Sequence, residues 1–485
     1  MRTTKGLWRW ALACAVVLCL SSAASAIDVE APGVTTDRAA SIVILPKVQV
    51  EPAVDDGLVS PGGAGGIIVQ RPAAVDTFIQ VTNVSEHLVG VYCFYINANG
   101  HCGNAFGPIC NDVDFHEVCN GLPCVPGWQE TDFRFSLTKR QPLSWSANDG
   151  LPTLPLATMP GMGIPPQFNE GSIPPVQESP FIGELKCFQV DPDSLDEPSP
   201  TPVGNNELKA EATILRTLPY VDARKYNAIG IPAVPDHPPD PSNVLNLGPC
   251  HLEGDIGVCD DIANYNSCPA VLTLDHFFEG AHVITHAGDV NTPVNSTITL
   301  VPCSQDLSLQ VPGTATVQFL IYNEFEQRFS ASTKLQCFKS VRLADIDTRP
   351  GPDGDAYSIF SIGTQGTLTG QSRLRPVAGP IGDENIFDAN SILGILEEAF
   401  LVDRHCIFDG VLTSRTCDLN SDCPTDNVAD CQPGVCAGDP ERECDSNDSC
   451  GTFGPCKVLK TDAANIHVQG VPQEANQIIL PRRGN

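Results

Sequence analysis

The first 26 residues have the pattern of a secretory signal peptide, and this feature sets the redox conditions in which the rest of the chain must fold. Three basic residues precede an apolar run at 11–20, and a small-residue cleavage site ends at Ala26. The apolar run is too short to span a bilayer, so we interpret it as a removed signal. Cleavage near Ala26 predicts a secreted chain, extracellular or periplasmic, whose cysteines oxidise to disulfides.

Cysteines are numerous, and their number in the secreted part is odd. Of the 21 cysteines, Cys14 and Cys19 leave with the signal, so at least one of the others has no partner within the chain. Strand contexts predict the pairs Cys93 with Cys187 and Cys303 with Cys337, and the other pairings stay open. The odd cysteine is expected in the second half, which holds most of them. The candidate disulfide residues, one of which is unpaired, are Cys93, Cys102, Cys110, Cys119, Cys124, Cys187, Cys250, Cys259, Cys268, Cys303, Cys337, Cys406, Cys417, Cys423, Cys431, Cys436, Cys444, Cys450 and Cys456.

Composition and hydrophobic patterning predict an all-β fold. The chain has 41 glycines and 42 prolines, which implies many turns, and it lacks long stretches of helical periodicity. Residues 77–83 and 317–323 alternate apolar and polar side chains, as half-buried strands do. Residues 87–95 are predicted to form the antiparallel partner of 77–83. We predict two Ig-like antiparallel β-sandwich domains.

The two halves echo one another, and a proline-rich stretch separates them. Residues 184–188 resemble residues 334–338. Either duplication of a domain or chance recurrence of a short β pattern would explain the resemblance. A stiff, polar segment at 236–243 has the composition of an interdomain linker. The predicted organisation is a signal peptide (1–26), an extended leader (27–40), a first sandwich (41–235) with a proline-rich loop (152–180), the linker (236–243), and a second sandwich (244–485) with a cysteine-rich insertion (402–459).

The charge balance narrows the range of partners. With 58 Asp and Glu against 28 Lys and Arg, the formal net charge is −30. Such a surface repels nucleic acid and anionic membranes, and it suits cations or basic partners. The simpler interpretation is that the charge keeps the protein soluble. We expect no nucleic acid partner and no membrane span, since no second apolar segment of spanning length follows the signal.

One short segment is dense in cysteine, with eight between Cys406 and Cys456. Within it, 417–423 and 444–450 each enclose polar residues rich in Asp and Asn between two cysteines. The segment has too few apolar residues for a core of its own, so disulfides must hold it. These motifs resemble the short Cys-rich repeats of secreted and surface proteins in myxobacteria and their relatives. The resemblance covers about 50 of 485 residues and implies an extracellular stalk or display module without catalysis.

Acidic loops offer candidate calcium ligands, because hard cations bind several closely spaced oxygen atoms. Asp418, Asn420 and Asp422 are spaced like the start of an EF-type loop, but Cys423 replaces its glycine and no bidentate glutamate follows. A polar, disulfide-closed turn explains the same pattern. A second acidic loop, open to the same two interpretations, comprises Asp345, Asp347, Asp353 and Asp355.

The only histidine cluster consists of His276, His282 and His286. His282 and His286 would share one face of either a helix or a strand, so a zinc site is sterically feasible. The segment has no His-Glu-x-x-His motif and no nearby Cys-x-x-Cys pair, and ordinary sheet or loop histidines also explain it. Apart from calcium and this zinc site, we predict no cofactor.

Catalytic motifs are scarce. The sequence contains no Gly-x-Ser-x-Gly motif, phosphate loop or dinucleotide fingerprint. Glu324 and Glu326 are predicted to share a strand face with Arg328, an arrangement that either a glycosidase or a solvated strand would show. Sugar-binding proteins stack sugars on exposed aromatic rings. Trp128 is the candidate ring, since Trp145 is expected in a core strand.

These features predict a non-catalytic secreted or cell-surface protein that binds or assembles through its sandwich faces and its cysteine-rich module. The partner would be a protein or a glycan at the cell surface, or a second copy joined at an unpaired β edge. Calcium is the candidate stabilising ion. The alternative is a secreted β-sandwich hydrolase, either glycosidase-like or metal-dependent.

Overall fold

The computed structural model describes residues 34–53, 73–104, 107–110, 119–126, 129–151, 173–217, 221–234, 243–248, 250–253, 256–259, 264–283, 292–310, 313–350, 356–378, 387–388, 391–408, 411–419, 422–423, 429–436, 439–453, 455–469 and 476–481. The predicted signal, most of the proline-rich loop and most of the linker lie outside these residues. The described end of the predicted leader belongs to the first sandwich, because Thr35 and Gly230 exchange backbone hydrogen bonds of 2.8 and 2.6 Å.

Nearly all described secondary structure is β-strand, as predicted. The first half contains β1 (Ile42–Pro52), β2 (Ala73–Asn83), β3 (Val89–Asn97), β4 (Gly100–Cys102), β5 (Cys124–Pro126), β6 (Gln129–Leu137), β7 (Pro142–Ser146), β8 (Phe181–Val190), β9 (Leu208–Arg216), β10 (Asp222–Asn227) and β11 (Ile229–Ile231). The second half begins with β12 (Val244–Gly248), β13 (Cys250–Glu253), β14 (Ile256–Cys259), β15 (Tyr265–Asn266), β16 (Val271–Phe277), β17 (His282–Val283), β18 (Thr292–Pro302), β19 (Gln305–Asp306), β20 (Gly313–Asn323), β21 (Arg328–Gln336), β22 (Lys339–Arg342), β23 (Thr348–Pro350), β24 (Ala356–Ser358), β25 (Thr369–Ala378), β26 (Phe387–Asp388) and β27 (Ile392–Val402).

The remaining strands are β28 (His405–Phe408), β29 (Val411–Thr416), β30 (Ala429–Cys431), β31 (Gly434–Cys436), β32 (Asp439–Cys444), β33 (Cys456–Asn465), β34 (His467–Gln469) and β35 (Asn476–Ile479). The helices among the described residues are short: α1 (Ile362–Gln365), α2 (Asn447–Cys450), and single 3₁₀ turns at Pro192–Ser194, Leu343–Asp345 and Gly451–Phe453. No helix in the described part of the chain has the length and apolarity needed to cross a membrane.

The first half is a β-sandwich in which β1 belongs to both layers. β1 pairs with β8 over most of its length and with β11 over its first three residues, and its last residues pair with β2. The strand path β10–β9–β2–β1–β8–β3–β6 is antiparallel. One core cluster contains Val91 and Tyr95 from β3 together with Ile79 and Val81 from β2. β3 pairs with β6 and β8, so the prediction that residues 87–95 pair with β2 is wrong, because alternation identifies the buried face of a strand and not its neighbour.

The inner strands of this sandwich are buried on both faces, which explains their continuous apolar runs. Every residue of β3 is buried. Tyr92 and Phe94, on the face opposite to the first cluster, belong to a second cluster that also holds Leu245, Val301 and Leu393. Since these last three residues come from the second half of the chain, the two halves share an apolar core.

The second half is also built from two facing sheets. One follows the path β21–β20–β25–β16–β34, and the other follows β17–β18–β27–β33–β31–β32. Phe319 and Leu374 from the first sheet and Ile298 and Leu300 from the second belong to a third apolar cluster. A smaller sheet, β15–β12–β35–β19, contributes Ile478 to the core that the halves share.

The cysteine-rich segment is an insertion between two neighbouring strands. β27 and β33 pair antiparallel from Ile395 with Asn465 to Val402 with Val458, so the chain between them leaves the sandwich and returns. β28, β29 and β30 form a separate small sheet, and β31 and β32 extend the sheet beyond β33. The all-β class and the disulfide-stapled insertion are therefore confirmed, whereas an Ig-like topology stays a prediction.

Candidate binding face and cysteine modules

The outer face of the sheet formed by β21, β20 and β25 carries a groove of about 830 Å³. Gln318 lies opposite Ser332 on β21 and Arg375 on β25, and Leu320 likewise lies between Ser330 and Arg373. Side chains alternate across a strand, so these residues face outward while their neighbours on β20 fill the core. We call this region the outer groove.

The outer groove has more basic than acidic residues, on a chain whose net charge is −30. Arg373 and Arg375 line it together with one acidic residue, Asp347. The exposed residues Arg328 and Lys334 extend the same face along β21, at register positions two residues beyond Ser330 and Ser332. A local surface with a net positive charge on an acidic chain attracts an anionic partner, including an acidic surface of a second copy.

The groove also borders an open sheet edge. β21 is the last strand of its sheet, and among the described residues it pairs with β20 alone. Its exposed and half-buried residues alternate over 328–334. An edge of this kind presents unpaired backbone groups that can accept an additional strand.

The two carboxylates predicted to share a strand face lie instead in the turn between β20 and β21. Asn323 Oδ1 accepts a hydrogen bond from the backbone N–H of Phe325 at 3.0 Å, and asparagine is a common turn residue for this reason. Glu324 Oε1 accepts from the hydroxyl and the backbone N–H of Thr369, at 2.8 and 3.0 Å, which lowers the Glu324 pKa. Because Glu326 also belongs to this turn and has a positive φ of 61°, the predicted shared strand face is wrong.

The structure accounts for His276 as a core residue. It is 2 % exposed, its Nε2 lies 2.8 Å from Ser372 Oγ, and its Nδ1 lies 3.3 Å from the carbonyl oxygen of Phe277. Burial lowers its pKa to about 4, which favours the neutral ring. His282 lies in β17, where only its backbone is described, and His286 lies outside the described residues. The zinc site therefore stays a prediction.

The first acidic loop is organised around a buried arginine. Asp422 Oδ2 accepts the backbone N–H groups of Leu419 and Asp418 at 2.8 and 2.9 Å, which lower the Asp422 pKa. Arg404, 2 % exposed, donates to the carbonyl oxygen of Asp418 at 3.0 Å. Asn420 lies outside the described residues. The described part of the loop is therefore a polar turn.

The second acidic loop is divided between different environments. Asp345 accepts two hydrogen bonds from the guanidinium of Arg342, at 2.8 and 3.0 Å. Asp347 lines the outer groove. Asp353 and Asp355 lie outside the described residues.

Three modules of four cysteines have the same connectivity, in which the first cysteine bonds the third and the second bonds the fourth. The bonds are Cys102–Cys119 with Cys110–Cys124, Cys406–Cys423 with Cys417–Cys431, and Cys436–Cys450 with Cys444–Cys456. In each module the first and fourth cysteines are register partners on adjacent strands. Sequence analysis missed the module in the first half. Its four cysteines are close in sequence and begin at His101-Cys102, just as those of the second module begin at His405-Cys406, and this similarity could have indicated it. The cysteine triads with metal-site geometry in the described chain all belong to these modules, and their sulfurs are disulfide-bonded.

The remaining cysteines confirm one predicted pair and correct the other. Cys93 and Cys187 are bonded between β3 and β8. Cys303 bonds Cys268, not Cys337, so the second predicted pair is wrong. Cys337 is buried and free, and it directly follows β21 in a left-handed conformation with φ 64°. In the hairpin β13–β14, Cys250 and Cys259 are register partners.

An exposed aromatic ring in the turn beside β21 was not predicted. Phe325, in the turn beside β21, is 65 % exposed. Trp145 is buried as predicted, and its indole N–H donates to the Tyr95 hydroxyl at 2.6 Å. Trp128 lies outside the described residues.

No family model matches the chain, and no curated protein matches it. The structure alone therefore defines its class, which is an all-β protein of two packed sandwiches with three disulfide modules. Its many disulfides indicate that it matures in an oxidising extracellular or periplasmic environment.

Proposed function

We propose that this chain is a non-catalytic secreted or cell-surface protein that binds an anionic partner at the outer groove and the β21 edge. The observation that carries the proposal is the juxtaposition of four basic side chains with an open strand edge on a strongly acidic chain. Main-chain hydrogen bonds to β21 would supply affinity, and Arg373 and Arg375 would select for negative charge.

The partner is a protein or a glycan at the cell surface, or a second copy of this chain. The cysteine modules support a display role, because disulfides hold small extracellular modules that have no apolar core. The resemblance of residues 406–456 to myxobacterial-type surface repeats agrees with this role. Calcium at the turn between Asp418 and Asp422 is part of the same proposal and would add rigidity to the module.

Binding to two immobilised probes, an acidic polysaccharide and the chain itself, tests the proposal. The variant carrying Arg328→Glu and Arg375→Glu should lose at least about tenfold in affinity for the probe that the native chain binds, because charge reversal makes the encounter repulsive. The control carries Lys139→Glu and Arg140→Glu, which reverse two exposed charges that pair with Glu86 elsewhere. Equal affinity in both variants would contradict the proposal, and no binding to either probe would exclude an acidic polysaccharide and a second copy as the partner.

One observation favours the second candidate, a secreted hydrolase. The Glu130 pKa is raised to about 8, mainly by burial and in smaller part by the charges of Asp132 and Asp306. A protonated carboxylic acid near other carboxylates is the combination that general-acid catalysis uses. A hydrolase screen on native chain and on Glu130→Gln would support this candidate only if the substitution abolished the activity found.

A further inference from the structure

A fully buried polar cluster joins the two halves of the chain. Lys186, Glu184 and Gln305 are 0, 1 and 0 % exposed. Glu184 and Lys186 are two residues apart on β8, so their side chains leave the same face of the strand. Gln305 lies on β19, in the small sheet of the second half. Side chains this polar are rarely buried so completely without a specific reason.

The hydrogen bonds place an amine, an amide and a carboxylate in direct contact. Lys186 Nζ donates to Gln305 Oε1 and also to the carbonyl oxygen of Pro302 at 3.0 Å. Glu184 Oε1 lies 3.4 Å from Lys186 Nζ and accepts a hydrogen bond from Gln305 Nε2 at 2.7 Å. One carboxylate oxygen therefore contacts both the amine and the amide nitrogen.

The environment favours neutral forms of the two ionisable groups. Burial lowers the Lys186 pKa and raises the Glu184 pKa, and the attraction between the opposite charges only opposes these shifts. Glu184 Oε2 is buried and has no hydrogen-bond partner among the described residues. A neutral lysine amine is a nucleophile, and a neutral carboxylic acid can donate a proton to a leaving group.

A second buried lysine, Lys47, has different hydrogen-bond partners and provides a comparison for this cluster. Lys47 Nζ contacts Glu397 at 2.6 Å, and the same carboxylate contacts Arg224 at 2.5 Å. Two cations share one anion there, and Lys47 Nζ bonds to no side-chain amide among the described residues. That cluster is an ion triad, whereas the amine of Lys186 lies against an amide group that it can attack.

We propose that Lys186 and Gln305 form an intramolecular isopeptide bond, with Glu184 as the proton relay. The Nζ lone pair of neutral Lys186 attacks Cδ of Gln305, and the neutral carboxyl group of Glu184 donates its proton to Nε2. The Cδ–Nε2 bond breaks, ammonia leaves, and Glu184 takes the proton that Nζ loses, so its carboxyl group ends neutral as it began. The reaction exchanges one amide for another, so it requires neither an oxidant nor an external reactant.

The bond would have a structural role that the disulfides do not fill. Each disulfide described here joins two residues within the same half of the chain. The Lys186–Gln305 bond would instead link the halves covalently, across 119 residues of sequence. The inference requires only the folded chain and is independent of the proposed binding function.

Intact mass of the secreted chain, after complete reduction and alkylation of its cysteines, tests the proposal. The native chain should be lighter than its sequence by one ammonia molecule. Lys186→Met and Glu184→Gln should each have the full sequence mass, because one lacks the nucleophile and the other lacks the proton relay. Gln305→Glu should instead lose one water molecule, since its leaving group is a hydroxyl.

Peptide mapping separates this bond from other losses of ammonia. Trypsin should fail to cut after Lys186, and the peptide that contains it should remain joined to the peptide that contains Gln305 after reduction. Lys47→Met is the matched control, because it removes the other buried lysine and should keep the ammonia loss in whatever fraction folds. A native chain with its disulfides formed and its full sequence mass would overturn the proposal, and so would an ammonia loss mapped to other residues.

Discussion

The sandwiches and the cysteine modules are stabilised by different forces. The sandwiches contain apolar clusters drawn from many strands, such as the one that holds Phe319 and Leu374. In each module the buried cluster consists of cysteines, joined by crossed disulfides. Hydrophobic burial therefore stabilises the chain where its sheets face each other, and disulfide bonds stabilise it where a segment is too short to have a core.

Removing a large core side chain should have the largest effect on the sandwiches. Phe319 is 1 % exposed, and its ring lies 5.9 Å from that of Phe360. Phe319→Ala should lower the free energy of unfolding by roughly 3–5 kcal/mol, because it removes apolar contacts and leaves a cavity. Denaturant unfolding measures this loss. The control Phe325→Ala, at an exposed ring, should change it little, and equal losses would contradict the assigned core.

Neutralising the buried ion triad should have the next largest effect. Glu397→Gln leaves Lys47 and Arg224 buried without their anion, and breaking such a pair costs roughly 3–4 kcal/mol. Denaturant unfolding again reports the loss. Glu211→Gln is the matched control, since the ion pair of Glu211 with Lys225 is partly exposed and contributes little. A Glu397→Gln variant as stable as the native chain would show that the triad is not a structural requirement.

Removing one disulfide should affect a module and leave the sandwiches unchanged. Cys436 and Cys450 close a loop with a sequence separation of 14, and such a crosslink contributes roughly 3 kcal/mol. The variant with both residues changed to alanine should be cleaved by protease within 436–456 while the main thermal transition keeps its midpoint. A shift of that transition comparable to the one in Phe319→Ala would mean that the module and the sandwich unfold as one unit.

The free energy of unfolding should depend on pH through Glu130, because burial disfavours the charged form of its carboxyl group. Its pKa is raised from 4.5 to about 8 in the folded chain, so its contribution to stability is complete below pH 4.5 and is lost as the pH rises through about 8. Glu130→Gln should remove a decline of a few kcal/mol across this range, since a change of one pKa unit corresponds to roughly 1.4 kcal/mol. Unfolding measured at several pH values checks this, and parallel curves for the two proteins would contradict it.

Calcium should have the smallest effect. With few ligands at the turn of Asp418 and Asp422, affinity in the range of about 1 mM is expected, as in other extracellular modules. At about 1 mM calcium, binding would add roughly 0.4 kcal/mol to a module that its disulfides already stabilise. Protease resistance of the module with calcium and with chelator measures this gain. The control Asp422→Asn should remove it, and identical digestion of the native chain in both conditions would contradict calcium binding.

Local sequence patterns predicted the strands but did not predict the contacts between residues that are distant in sequence. Alternation at 317–323 correctly placed Phe319 in a strand, and the continuous apolar run in β3 reflects burial on both faces. The same reasoning ended the strand at Asn323 but placed Glu324 on a strand face, because it did not recognise the turn that the Asn323 side chain begins. Boundaries of this kind depend on one side-chain hydrogen bond.

The candidate sites depend on register between distant strands, which no local pattern encodes. Gln318, Ser332 and Arg375 form one row of the outer groove only because β20 pairs with both β21 and β25. Lys186 and Gln305 meet across the shared core, although 119 residues separate them in the sequence. A prediction made from their neighbours in sequence could not join them.

The shared core also determines when the chain can finish folding. Lys47 precedes its anion Glu397 by 350 residues, and Ile395 belongs to the core cluster of the first sandwich. During synthesis from the N-terminal end, the first sandwich therefore exists for most of the elongation time with an unpaired lysine and an incomplete core. Contacts this distant in sequence make folding slow and leave apolar surface open to aggregation. The nascent chain must therefore be kept unfolded or protected until β27 has been made. A chain truncated before β27 would lack the residues that complete the cores of both halves.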